Sequence, residues 1–116
     1  ETRGVKEGLE FAILTNEITQ AWTGLTTRQY KSHKGLKKEN LRDNMTNLEL
    51  VLNMLAETAT TEISHKRQPK NLPENKKVAR EGGTVAGNAR REIESKTGRK
   101  VITSKNAKGL KLLKAK

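Results

Sequence analysis

The segment behind Thr46 constrains the fold most. Thr46 and Glu49 have the spacing of a capping box, in which an N-cap hydroxyl and an N3 carboxylate satisfy each other's free backbone amides. Met45 and Leu50 flank it as a hydrophobic staple. Leu48, Leu52, Leu55, Ala59 and Ile63 then step by four, three, four and four, one apolar stripe at helical period that Val51 and Ala56 widen. The spacing predicts an amphipathic helix over 47–65, whose stripe must be buried against another element or a second chain. Thr58, Thr60 and Thr61 are β-branched, which loosens its last turns.

The rest of the chain carries signals of the same kind. Val5, Leu9, Ala12, Ile13, Leu14, Ile18, Ala21 and Trp22 recur at helical spacing, so a first helix is expected over 5–22, stopped by Gly24 in a left-handed cap. Thr26 and Gln29 form a second capping box inside a Leu25/Tyr30 staple, opening a short helix that ends near Gly35. Residues 35–45 read as a charged connector. Residues 66–73 contain Pro69 and Pro73 and form a linker, because a proline inside a helix costs ~3 kcal/mol. Pro73 suits the first turn of the next helix, expected over 74–97 with Gly98 as its stop. Val101 and Ile102 read as a short extended piece. Thr103 or Ser104 is placed to cap a last helix through Leu110 and Leu113. No segment alternates as a strand would. The chain therefore reads as a small all-α domain of four to five helices. Its parts are a near-neutral segment 1–65, the linker 66–73 and a basic segment 74–116, together one domain. It begins without methionine and in mid-pattern, as a piece of a longer protein would.

Composition limits what such helices can bury. Apolar residues are 32% of the chain, well below the roughly 45–50% of ordinary domains even when the nine glycines are added. The net charge of +11 is unevenly spread: residues 1–64 carry −1 and residues 65–116 carry +12. That asymmetry suggests a polyanionic partner, most often nucleic acid, against the alternative of a solvated basic tail. No run approaches the ~20 apolar residues of a membrane span. The chain has no cysteine, one aspartate and two histidines without carboxylates at ligand spacing, so no metal or cofactor is expected. It also lacks a nucleophile elbow, a P-loop and a dinucleotide fingerprint, so no enzymatic activity is expected.

Within the basic segment, KKVAREGGTVAGNARREIE (residues 76–94) stands out. Three glycines in one helix should each cost ~1 kcal/mol against alanine, and something should offset that. Advancing 100° per residue puts Val78, Gly82, Val85, Ala89 and Ile93 on one face, the expected core face. Lys76, Arg80, Gly83, Gly87, Arg90 and Arg91 fall opposite, with Arg99 and Lys100 just beyond the helix. These eight are the candidate nucleic-acid-binding residues. Glycine lets a phosphate backbone come close, and arginine offers bidentate phosphate contacts. Two other readings stand beside it: Gly83-xxx-Gly87 as a surface for close helix packing, or Gly82-Gly83 as a break. Glu94, on the same face, counts against a phosphate track. In the short second helix, Arg28, Gln29, Lys31, Ser32 and Lys34 could read bases as a recognition helix does. The Ala21–Gly24 spacing is too short for that motif, however, and a simple αα-hairpin is the alternative. Trp22 and Tyr30 could stack on bases or anchor the core.

Three stretches resemble the family of DNA-damage-inducible protein D: GVKEGLEFAILTNEITQAW, YKSHKGLKKENLRDNMTNLELVLNMLAE and KKVAREGGTVAGNARREIESKTGRKVITSKNA. The resemblance covers about residues 5–107, the region that in this family follows an N-terminal BRO-like domain. It implies a bacterial, cytoplasmic, non-enzymatic protein of the SOS response. It further implies a regulator of RecA that inhibits strand exchange and promotes loss of RecA filaments from single-stranded DNA. The family supplies no site residues, so the eight candidates rest on the helical arithmetic alone. Two other functions remain open beside this one: a sequence-specific DNA binder using the helix at 27–34, and a structural or homodimerisation module pairing through the stripe from Leu48 to Ile63.

Overall fold

A computed structural model describes the backbone of residues 2–106 and the side chains of residues 8–106. Four α-helices follow one another, α1 (Thr2–Thr23), α2 (Thr27–His33), α3 (Asn47–Arg67) and α4 (Leu72–Thr97), with a short 3-10 turn at Arg42–Asn44. The described residues contain no strand, and the fold is all-α.

α2, α3 and α4 begin where their local chemistry says they should. In both capping boxes the two reciprocal bonds are present. Gln29 N donates to Thr26 Oγ1 at 3.1 Å and Thr26 N to Gln29 Oε1 at 2.9 Å. Glu49 N donates to Thr46 Oγ1 at 3.3 Å and Thr46 N to Glu49 Oε1 at 3.0 Å. α4 is capped by Asn71, whose Oδ1 accepts from Glu74 N at 2.9 Å, and Pro73 sits in its first turn, where no N–H is needed. Gly98 ends it at φ +70°. The threonines of α3 do not open its last turns. Thr60 and Thr61 return their hydroxyl hydrogens to the carbonyls of Ala56 and Glu57, and the helix runs on to Arg67. The four residues 68–71 then turn the chain into α4 as an αα-hairpin.

α4 lies between α1 and α3, antiparallel to α3 and alongside α1 in the same direction. The core is small: Trp22, Tyr30, Leu52, Ala56, Ala86 and Val101 are buried, with Ile18, Leu25, Ala89 and Ile93 packed against them. Trp22 and Tyr30 meet edge to face, ring centroids 6.2 Å apart, and Trp22 Nε1 donates to Asn53 Oδ1 at 3.2 Å. Both rings are inaccessible to solvent, so they anchor the core and cannot stack on bases.

Two expected core faces are buried only in part, Leu52 and Ala56 on α3 and Val78, Gly82, Ala89 and Ile93 on α4 facing inward. On α3 the buried positions are Glu49, Leu52, Asn53 and Ala56, while Leu48 is 41% and Leu55 37% exposed. The helix is turned so that Leu52 and Ala56 face inward together with the polar Glu49 and Asn53, while the stripe's flanking leucines reach solvent. On α4, Val85 is 44% exposed and Gly83 and Gly87 are buried. Residues 101–106 form no strand and no helix. The remainder of the expected last helix, from residue 107, lies outside the described residues.

Candidate nucleic-acid interface

The three glycines of α4 are where its neighbours come closest. A Cβ on Gly82 would lie 2.6 Å from the Thr60 backbone nitrogen and Cα of α3. A Cβ on Gly83 would lie 2.6 Å from Ala21 Cβ and 2.7 Å from the Ile18 carbonyl oxygen of α1. One on Gly87 would lie 2.8 Å from the Ala21 carbonyl oxygen. α4 is one unbroken helix, and its glycines serve helix packing on two sides at once. The expectation of a side-chain-free strip open to a phosphate backbone is therefore corrected. The strip exists, but α1 occupies it at Gly83 and Gly87.

The cations around that strip divide accordingly. Arg90 is a positioning group of the fold: its Nε donates to the Trp22 carbonyl at 2.7 Å and its guanidinium pairs with Glu94 at 2.8 Å. Lys76 and Arg80 converge on Glu17 of α1 at 3.4 and 3.9 Å. Arg91 is exposed and bonded to Asn88 of its own helix. Arg99 and Lys100 are exposed just past the Gly98 cap, beside Glu94 in a shallow concavity. Burial alone would raise the Glu94 carboxyl. The Val101 amide that donates to it at 3.0 Å, Arg90 and Lys100 outweigh that and hold it below its ordinary value. Of the eight sequence candidates, Arg80, Arg91, Arg99 and Lys100 present their charge to solvent, Lys76 does so in part, and Gly83, Gly87 and Arg90 are committed to the interior.

The short α2 is divided in the same way. Arg28, Gln29 and Ser32 are exposed, but Lys34, counted with them as a base reader, has no solvent exposure. Its Nζ donates to Glu49 Oε1 at 2.7 Å and to the carbonyls of Thr103 and Lys105 at 3.0 and 2.6 Å, which uses all three of its hydrogens. Glu49 Oε2 accepts the Tyr30 hydroxyl. Burial, then this bond, then the Glu49 charge raise the Tyr30 phenol far above its ordinary value. The sequence did hold a signal for this. Tyr30 and Lys34 are four apart, hence on one face, and Glu49 is the inward member of a capping box.

Among the described residues no three His, Asp or Glu side chains come together to hold a metal, and no helix is long and apolar enough to cross a membrane. A small helical domain, built around a basic, glycine-packed central helix and displaying cations at that helix's end, is the class of protein that fold and surface define. The chain belongs to the DinD C-terminal domain family, which it matches over residues 1–107. Comparison with curated proteins and with solved structures returns no match.

Proposed function

We propose that this chain is part of a DNA-damage-inducible regulator of the bacterial SOS response that modulates RecA–single-stranded DNA filaments and inhibits recombination. It works by binding in the cytoplasm, not by catalysis. Family membership over residues 1–107 carries this reading. The charge split supports it: the +12 of residues 65–116 suits competition for phosphates, and the near-neutral residues 1–64 suit protein contact. The cations assigned to the strand are those at the solvent face of α4 and beyond its end, Arg80, Arg91, Arg99 and Lys100.

The test is binding of the chain to single-stranded DNA, to RecA and to the filament, each at two salt concentrations. The variant Arg91→Glu/Arg99→Glu/Lys100→Glu is run beside the parent, with Arg90 left in place because it holds the Trp22 carbonyl. Each lost phosphate contact lowers the log–log salt slope on a single strand by about 0.7. The expected result is strand binding at least tenfold weaker, a shallower slope and loss of filament disassembly. Full activity in the triple variant overturns the assignment. A second reading, a homodimer formed through α3, is favoured by one observation: Leu48, Val51, Met54 and Leu55 are all exposed on that helix.

A further inference from the structure

We propose that the concavity between the C-terminal half of α1 and α2 is an anion site that takes a phosphate group. It is open to solvent, has a volume of about 760 Å³, and is lined by Asn16, Thr27, Arg28, Lys31, Ser32 and Lys37 among others. That volume falls within the roughly 300–1,000 Å³ of ligand clefts.

Three observations point to an anion. First, three cations and no carboxylate line the concavity. Elsewhere several carboxylates pair with cations, Glu17 with Lys76 and Arg80, Glu57 with Arg42, Glu81 with Arg67 and Glu94 with Arg90. Among the described residues, Arg28, Lys31 and Lys37 enter no such pair. Second, this cluster lies in residues 1–64, whose net charge is −1, so it does not follow from the average charge of its surroundings. Third, the Thr27 hydroxyl oxygen is buried at the wall and has no hydrogen-bond partner among the described residues. A buried polar group left unpaired costs about 1–3 kcal/mol, and a phosphate oxygen is an acceptor for it once the side chain turns outward.

The local fold holds these groups together. Arg28 and Lys31 are three apart on α2, hence neighbours on its surface. Asn16 Oδ1 accepts the Thr27 amide at 2.9 Å and fixes the start of α2 to α1. At the other end the chain closes in a Schellman motif: Leu36 N donates to the Lys31 carbonyl at 2.9 Å and Gly35 N to the Ser32 carbonyl at 3.0 Å, with Gly35 at φ +71°. That reversal, secured by the buried Leu36, brings Lys37 back to the same hollow as Lys31. Glu39 does not enter it; its Oε1 accepts the Lys37 and Lys38 amides. The site uses none of the α4 cations and stands independently of the filament reading.

The phosphate could belong to a nucleic-acid strand or to a free phosphomonoester, and the test separates them. Inorganic phosphate is titrated into the 116-residue chain and followed by amide NMR shifts. Competition is then measured with adenosine monophosphate and with a five-residue oligothymidylate lacking terminal phosphates. The expected result is saturable shifts confined to residues 16 and 27–37. Displacement by the oligonucleotide assigns a phosphodiester, and displacement by the nucleotide alone assigns a monoester. Arg28→Gln/Lys31→Gln should bind at least tenfold more weakly and Thr27→Val about threefold, while Lys70→Gln/Lys77→Gln stays within twofold. Should the double variant lose its folded spectrum, the exposed Arg28→Gln alone must show the loss. Shifts spread over the basic surface, unchanged affinity in these variants, or displacement by neither competitor (an adventitious ion only) would each overturn the site.

Discussion

Lys34 shows how far a residue's setting can depart from its type. Lysine is almost never fully buried unless paired, and here all three of its hydrogens have acceptors. Glu49 is equally enclosed, sharing its oxygens among Lys34, Tyr30 and the Thr46 amide. Such a pair gains little net stability over a well-packed apolar one, yet removing one member leaves the other charged and buried. Lys34→Met is therefore expected to destabilise the chain by about 3–5 kcal/mol in urea unfolding. The double variant Lys34→Met/Glu49→Leu should recover a large part of that loss. Simple additivity of the two single variants would show that the charges do not act as a pair. Lys34 also holds the carbonyls of Thr103 and Lys105, so the single variant should speed amide hydrogen exchange in residues 101–106.

At the scale of elements, the glycines of α4 decide how closely three helices approach. In an exposed helix interior, Gly→Ala gains about 1 kcal/mol. At Gly82 and Gly83 the added methyl would meet backbone atoms under 3 Å away, which cannot move without shifting a helix. Gly82→Ala and Gly83→Ala should each destabilise by about 1–3 kcal/mol, as overpacking does, despite the better propensity. On α1, a Cβ added to Gly8 would meet nothing within 4 Å, so Gly8→Ala should stabilise by up to about 1 kcal/mol. Thermal unfolding of the three variants checks the signs. A gain at all three would mean that the helices are not in close contact through α4.

For the whole molecule, charge and apolar surface fall in different places. The basic excess sits in residues 65–116, whereas the exposed Leu48, Val51, Met54 and Leu55 sit on α3 in the near-neutral part. Two copies could therefore meet through α3 without bringing most of their like charge together. If α3 pairs, sedimentation will show a concentration-dependent dimer that Val51→Glu/Met54→Glu abolishes. A parent chain that stays monomeric at all concentrations removes the dimer reading.

The sequence by itself determined the helices and their ends. Capping boxes, proline at a first turn and glycine at a left-handed stop act within a few residues; α2, α3 and α4 start, and α1, α2 and α4 stop, where those signals stand, while α3 runs on to Arg67 and turns at Gln68 without a glycine. It also determined the uneven charge, and through long, specific stretches it pointed to the family. Periodicity found part of each buried face, Trp22 on α1, Leu52 on α3 and Val78 on α4 among them, but how far round each helix burial extends was decided only by the tertiary structure. Periodicity counts apolar side chains, but here glycine backbone at Gly83 and Gly87, and an ion pair between Lys34 and Glu49, take interior places that leucine and valine would ordinarily fill. Close approach of backbones and mutual neutralisation of charge are properties of pairs of elements. The traces they leave, Gly83 and Gly87 four apart on α4 and Tyr30 and Lys34 four apart on α2, do not name the partner, and for that reason the cations free to meet a phosphate could be told from those holding the fold only once α1, α3 and α4 were seen together.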